Sequence, residues 1–268
     1  MSLAVFLPSQ PLSHVRNVFA NERDFFSASS WKDLEQIIRR EPVTAVIVDP
    51  AADGVVDVDA VASLLHKFPS LPLIVYVPLS ATAFGAIVQL SRRGLDHVVL
   101  HRVGDSKERL QHTVARVRMT PASQMMTKLL APALKLVPLR LARAVSDMFD
   151  RPHSYASVLD LAMSAGMPSV SLYRYFDAAK LNSPKKLLIA AKLCRGLTYL
   201  RDPGYSVREV ATKLGYRQPR IFAAHVMTVF DLTPTQLRAR LSEDEATSLL
   251  VRWIDIPKEL PTSERWVR

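Results

Sequence analysis

The feature that most constrains this chain lies between Ser157 and Leu237, where one pattern is written twice. The first copy opens Ser157-Val158-Leu159-Asp160-Leu161-Ala162 and runs to Gly166; the second opens Ser206-Val207-Arg208-Glu209-Val210-Ala211 and runs to Gly215. Each begins with Ser followed three residues later by an acid, a pairing that satisfies the free donors at a helix start from both sides. Each then meets a Gly, which accepts the left-handed backbone that ends a helix. A second helical pattern follows, anchored by Leu172 and Phe176 in one copy and by Phe222 and Val226 in the other, each pair four apart and so on one face. Both copies close on similar phrases, Asn182-Ser183-Pro184-Lys185-Lys186-Leu187 and Leu232-Thr233-Pro234-Thr235-Gln236-Leu237. The offset is 49 residues at Ser157/Ser206 and 50 at Pro184/Pro234, which puts one extra residue in the second turn.

Helix, glycine turn, helix is the helix-turn-helix arrangement, and two in tandem predict a unit that reads double-stranded DNA. The charge falls in the same place. Residues 131–240 hold 17 basic and 7 acidic residues, whereas residues 1–130 hold 14 and 12, and residues 241–268 hold 4 and 6. A positive excess concentrated in the segment that holds the repeat suits a polyanionic partner.

Length and composition narrow the remainder. At 268 residues and 49% hydrophobic content the chain is expected to form two domains with their own cores. Cys194 is the only cysteine, which leaves no disulfide framework and no cysteine zinc site, and its apolar helical setting predicts a buried thiol. His14, His97, His101 and His112 lack metal-ligand spacing, so neither metal nor cofactor is expected. There is no run of roughly 18 apolar residues and no signal-peptide pattern, so a cytoplasmic protein without membrane contact is expected.

From Leu3 to Met119 short apolar runs alternate with amphipathic ones. Strands are expected at Leu3–Leu7, Phe25–Ser27, Ala45–Val48, Leu73–Val77 and His97–Leu100. Helices are expected near His14–Ala20, Trp31–Arg40, Val58–Lys67, Thr82–Arg93 and Lys107–Arg118. Near-continuous apolar strands between helices predict a five-stranded parallel sheet covered on both faces, a doubly wound flavodoxin-like α/β domain over residues 1–119. In order, length and a few positions this half resembles the response-regulator receiver domain. The resemblance makes Asp49, at the end of the third strand, a candidate phospho-acceptor. It also implies an acidic pair after the first strand, where Phe6-Leu7-Pro8-Ser9 stands, a hydroxyl after the fourth, where Val77-Pro78 stands with Ser80 nearby, and a Lys after the fifth, where His101-Arg102 stands. The half therefore reads as a degenerate receiver, kept for dimerisation or for sensing something other than phosphate. A ligand is expected in the crevice near Pro8, Asp49, Pro78 and His101.

Residues 120–134, with Pro121 and Pro132, are expected to form an extended linker, and a helix is expected from about Pro138 to Phe149. Residues 135–240 then resemble the DNA-binding domain of the AraC family of transcription regulators, all-helical with two helix-turn-helix units. The matching residues are Leu161-Ala162, Gly166, Leu172, Arg174 and Phe176 in the first unit, Lys192-Leu193 and Leu200 in a connecting helix, and Val210-Ala211, Leu214-Gly215-Tyr216 and Phe222 in the second. The closing Leu232-Thr233-Pro234 with Leu237-Arg238 is the most family-specific phrase. The family usually has Gly where Leu181 and Asp231 stand, an aromatic where Val226 stands, and basic residues where Ala223-Ala224-His225 stand.

The second helix of each unit must then face the major groove. Base-reading candidates are Ser169, Val170, Ser171, Tyr173 and Arg174 in the first unit and Arg217, Gln218, Arg220, Ile221 and His225 in the second. Arg pairs with guanine O6 and N7, and Gln with adenine N6 and N7, each such pair discriminating by roughly 1–3 kcal/mol. Lys180, Lys185, Lys186, Lys192, Arg195, Lys213, Arg238 and Arg240 are phosphate candidates, which position without specifying. The loss of basic residues in the second unit makes the first the expected firmer anchor. In the tail (residues 241–268), Glu243-Asp244-Glu245 followed by Leu249, Leu250, Trp253 and Ile254 predicts a short amphipathic helix packed on a domain.

The expected function is sequence-specific DNA binding in transcription regulation, as a homodimer through the amino-terminal domain and with RNA polymerase as a further candidate partner. The nearest alternative is a response regulator controlled by phosphorylation of Asp49. An enzyme or small-ligand protein using the α/β crevice is more remote, since there is no glycine-rich phosphate loop, nucleophile elbow or acid pair.

Overall fold

Five short apolar runs become five parallel strands in a computed structural model of the protein, which describes residues 2–20, 24–117 and 120–255. They are β1 (Ser2–Phe6), β2 (Asp24–Ser27), β3 (Ala45–Val48), β4 (Leu73–Val77) and β5 (His97–Leu100), in the spatial order β2-β1-β3-β4-β5. This is the doubly wound, flavodoxin-like order. Register is fixed by pairs such as Leu3 with Ala45, Ile47 with Ile74 and Val75 with Val98. The strands β1, β3 and β4 are buried on both faces, because α1 (Ser9–Val18), α2 (Trp31–Arg40), α3 (Val58–Lys67), α4 (Ala81–Ser91) and α5 (Lys107–Val117) flank the sheet. Leu3, Val5, Ile47, Ile74, Tyr76, Leu110 and Val114 form one core cluster there. Helix starts are set by local side chains: Ser30, Asp57 and Ser80 accept from the backbone N–H three residues on.

Contacts divide the chain into two units, Met1–Met119 with Asp202–Ser206, and Thr120–Arg201 with Val207–Arg268. The five residues Asp202–Ser206 thus count with the α/β unit. Within it, Ser70 donates from N and Oγ to the Asp202 carboxylate at 2.9 and 2.5 Å, and Gly204 N–H donates to the Lys67 carbonyl at 2.8 Å.

The second unit is all-helical: α6 (Pro121–Leu134), α7 (Leu139–Asp150), α8 (Val158–Ser164), α9 (Ser169–Ala178), α10 (Pro184–Arg201), α11 (Val207–Lys213), α12 (Pro219–Phe230), α13 (Pro234–Arg240) and α14 (Glu243–Ile254). Its centre is α10, buried nearly all round by Leu187, Leu188, Leu193, Leu197 and Leu200, as a core helix must be. Cys194 is fully buried in it, and burial pushes its thiol up to about 12. Gly196 on α10 faces the second helix-turn-helix: a Cβ there would lie 3.0 Å from Leu214 Cδ1 and 3.4 Å from the Phe222 ring.

One expectation is corrected. The extended linker at residues 120–134 is instead the helix α6. Thr120 caps it by accepting from Ser123 N, and Pro121 occupies the first turn, where its missing N–H costs nothing. Ala122, Met126, Leu130 and Ala133 then bury one stripe. Lys180 (φ +52) takes the left-handed conformation after α9, and Asp231 (φ +54) caps α12 in it. The tail helix α14 starts on a Ser242/Glu245 capping box and buries Ala246, Thr247, Leu250 and Ile254, with Leu249 and Trp253 only half covered.

Candidate nucleic-acid interface

The first helix-turn-helix is built from α8 and α9. Asp160 closes the start of α8, its Oδ2 accepting from Ala156 N, Ser157 N and Ser157 Oγ at 2.9, 2.8 and 3.1 Å. Gly166 takes φ +59 in the turn, and Leu172 and Phe176 bury the inner face of α9. The outer face carries Val170, which is 82% exposed, with Tyr173 and Arg174 exposed and Ser169 and Ser171 partly so. The Arg174 guanidinium lies 5.8 Å from the centroid of the Tyr175 ring. Leu159 and Met163 of α8 are exposed too, so this unit presents an apolar outer surface with one arginine.

The second unit is built from α11 and α12. Gly215 takes φ +73, and a Cβ on it would lie 2.6 Å from the His153 carbonyl oxygen, so both conformation and space demand glycine. Phe222, Val226 and Phe230 bury the inner face of α12. Arg217, Gln218, Arg220 and Ile221 are exposed around its amino-terminal turn. Gln218 Oε1 accepts from Arg220 Nε at 2.6 Å, which holds the guanidinium against the amide. His225 is set apart from these four. It is half-buried, its Nδ1 lies 2.9 Å from the Tyr216 hydroxyl, and burial with the nearby Lys185 and Lys192 charges lowers its pKa.

The phosphate candidates separate into two groups. Lys180, Lys185 and Arg240 are exposed, while Lys186 and Arg238 are partly so, with Lys186 Nζ 5.0 Å from the Trp253 ring centroid. Arg195, Lys192 and Lys213 lie inside the unit. Arg195 donates to the Asp150 carbonyl at 3.5 Å, and Lys213, 1% exposed, sits 5.2 Å from the Tyr199 ring centroid. Those two side chains are turned into the unit, away from its surface. Sequence reasoning missed Ala224, Met227 and Thr228, which continue the exposed face of α12 beyond Arg220. The helical period from Arg220 was the available signal.

In the α/β unit, Asp49 stands at the end of β3, almost fully buried. Its Oδ1 accepts from Ala51 N at 2.8 Å, and burial raises its pKa against that bond. Beside it lies a crevice of about 260 Å³ lined by Asp49, Val77, Pro78 and Ser80 among others. Pro8 and His101 are not in that lining; His101 instead packs near Tyr76 and His14. Among the described residues no group of three or more His, Cys, Asp or Glu side chains is placed to hold a metal ion.

Residues 161–240 match the family model of a helix-turn-helix domain. That segment is a helix-turn-helix domain of the AraC type, and the chain thus carries the DNA-binding module of transcription regulators. Among solved structures the chain is similar to one described as the structure of the xylose-binding transcription activator xylR, at 13% identity, covering 90% of this chain and 70% of that one with a TM-score of 0.35. No curated protein matches the chain. No helix among the described residues is long and apolar enough to cross a membrane.

Proposed function

We propose that this protein is a sequence-specific regulator of transcription that places α9 and α12 in successive major grooves, about one helical turn or roughly 34 Å apart. The observation that carries this reading is the paired arrangement of anchored helices, Leu172/Phe176 and Phe222/Val226 inside, with Val170, Tyr173 and Arg174 exposed on one and Arg217, Gln218 and Arg220 exposed at the start of the other. In this assignment the second unit reads polar base edges through Arg217, Gln218 and Arg220. The first packs Val170 and Tyr173 against thymine methyls and adds Arg174. That division departs from the expectation of a firmer first anchor, because Arg217, Gln218 and Arg220 cluster in the turn before α12 and at its start. Lys180, Lys185, Lys186, Arg238 and Arg240 are assigned to phosphates.

The α/β unit serves as a degenerate receiver that pairs two copies or senses a signal other than phosphoryl transfer. Pairing is supported by Leu79 and Phe84, 72% and 66% exposed, with Val88, Val98 and Val103 also exposed. Work in the cytoplasm with RNA polymerase nearby follows from the same reading. Selecting bound fragments from random DNA tests it: enrichment of a repeated site is expected, with affinity falling steeply as salt rises. No enrichment together with a flat salt response would refute it.

A further inference from the structure

Between the two helix-turn-helix units, the first turn of α8, the first half of α10 and the start of α12 enclose a cleft of about 600 Å³. Its walls include Val158, Leu188, Ile189 and Ile221. Lys192 also lines it, although the residue is only 4% exposed. The ammonium sits 4.7 Å from the Tyr216 ring centroid and makes no hydrogen bond or ion pair among the described residues. Lys185, Arg217 and His225 face the same space. The one acid there, Asp160, accepts through Oδ2 from the three donors that start α8, and its single charge is outnumbered by those of Lys185, Lys192 and Arg217. The cleft therefore holds an excess of positive charge, and its most buried cation has no acceptor.

We propose that this cleft binds a small organic anion, an apolar body bearing one carboxylate, with the carboxylate paired to Lys192. A buried ammonium is costly unless an anion joins it. Burial lowers the Lys192 pKa to about 8, against the weaker opposing pull of Asp160, which is the response of a cation waiting for a partner. The volume lies in the range of small-molecule sites, about 300–1,000 Å³, and the mixture of apolar walls with a few convergent polar groups is typical of them. A bare phosphate would leave Val158, Leu188, Ile189 and Ile221 facing water. Arg217, in the turn before α12, and Ile221, on its exposed face, belong both to the cleft and to the surface assigned to DNA, so a ligand that engages them opposes DNA binding, by the same factor in each direction. This coupling rests on the DNA reading, whereas the site itself does not.

Calorimetric titration of the full chain at pH 7 with 4-phenylbutyrate, 4-phenyl-1-butanol and inorganic phosphate tests the proposal. The carboxylate is expected to bind at least about tenfold more tightly than the alcohol or phosphate. Lys192→Met and the surface change Ile221→Glu should each weaken it by about tenfold or more, and Lys186→Ala should not. Absence of 4-phenylbutyrate binding, equal binding of the alcohol or of phosphate, or unchanged binding in both cleft variants would overturn the site. In a second arm, 4-phenylbutyrate should weaken the affinity of the wild type for its selected DNA site and leave Lys192→Met unaffected. Ligand binding without any change in DNA affinity would overturn the coupling alone. Failure to bind DNA at all would count against the DNA reading and leave the first arm standing.

Discussion

The Tyr216 hydroxyl lies 2.9 Å from Nδ1 of His225, which joins the turn before α12 to the middle of that helix. The same phenol ring lies 4.7 Å from the Lys192 ammonium, so one aromatic side chain ties the connecting helix α10 to α12. Three polar side chains are held together where the sequence alone offered a base reader, a phosphate contact and a tyrosine of the family pattern.

Stability should depend on pH through Lys192. Its folded pKa of about 8 lies below the ordinary 10.5, so between these values the unfolded chain binds more protons. The cost of burying the charge is therefore fully present below about pH 8 and fades as pH rises towards 10.5. Thermal melts of Lys192→Met against wild type should show the variant more stable at pH 7, with the gap closing in alkaline buffer. A gap that stayed constant across this range would contradict the assignment.

The two turn glycines should respond unequally to the same substitution. Gly166→Ala meets only the left-handed backbone, a cost of roughly 1–2 kcal/mol, because a Cβ there touches nothing within 4 Å. Gly215→Ala adds a collision with the His153 carbonyl and should cost clearly more. Denaturant titration of both variants measures the difference, and equal losses would show that His153 can move aside.

Arg220→Ala should relax preference at one base pair by roughly 1–3 kcal/mol, while Lys186→Ala should weaken all sequences about equally. Gln218→Ala, which removes the group that holds the Arg220 guanidinium, should blur the same position more mildly. Competitive binding across single-base variants of the selected site reads these effects. A uniform loss in Arg220→Ala would remove it from the base readers.

Phe84→Glu should separate paired copies. The side chain is largely exposed, so the fold should tolerate the charge, while an apolar interface containing it should not. Light scattering coupled to size exclusion should show a dimeric wild type and a monomeric variant. An unchanged mass would place the pairing surface elsewhere.

Much of the sheet was legible in the sequence because a buried parallel strand is an almost unbroken apolar run. Ala45–Val48, Leu73–Val77 and His97–Leu100 begin and end where the runs do. The helix α6 was hidden by two prolines, since Pro121 signals a break unless Thr120 is recognised as its cap. The inner faces of α9 and α12 followed from four-residue spacing, whereas the interior placement of Lys192, Arg195 and Lys213 did not. For Lys192 and Arg195, on a long helix surrounded by others, burial depends on neighbours contributed by α7, α8 and α11. No local pattern in α10 itself announces which of its basic residues will be enclosed.

Gly196 gives the connecting helix its closest approach to Leu214 and Phe222. A methyl group there would need the Leu214 methyl and the Phe222 ring edge to give by a few tenths of an ångström. The missing carbon thus sets how closely the connecting helix seats against the second unit, and the hand-off between the two rests on one hydrogen atom standing where most residues carry a β-carbon.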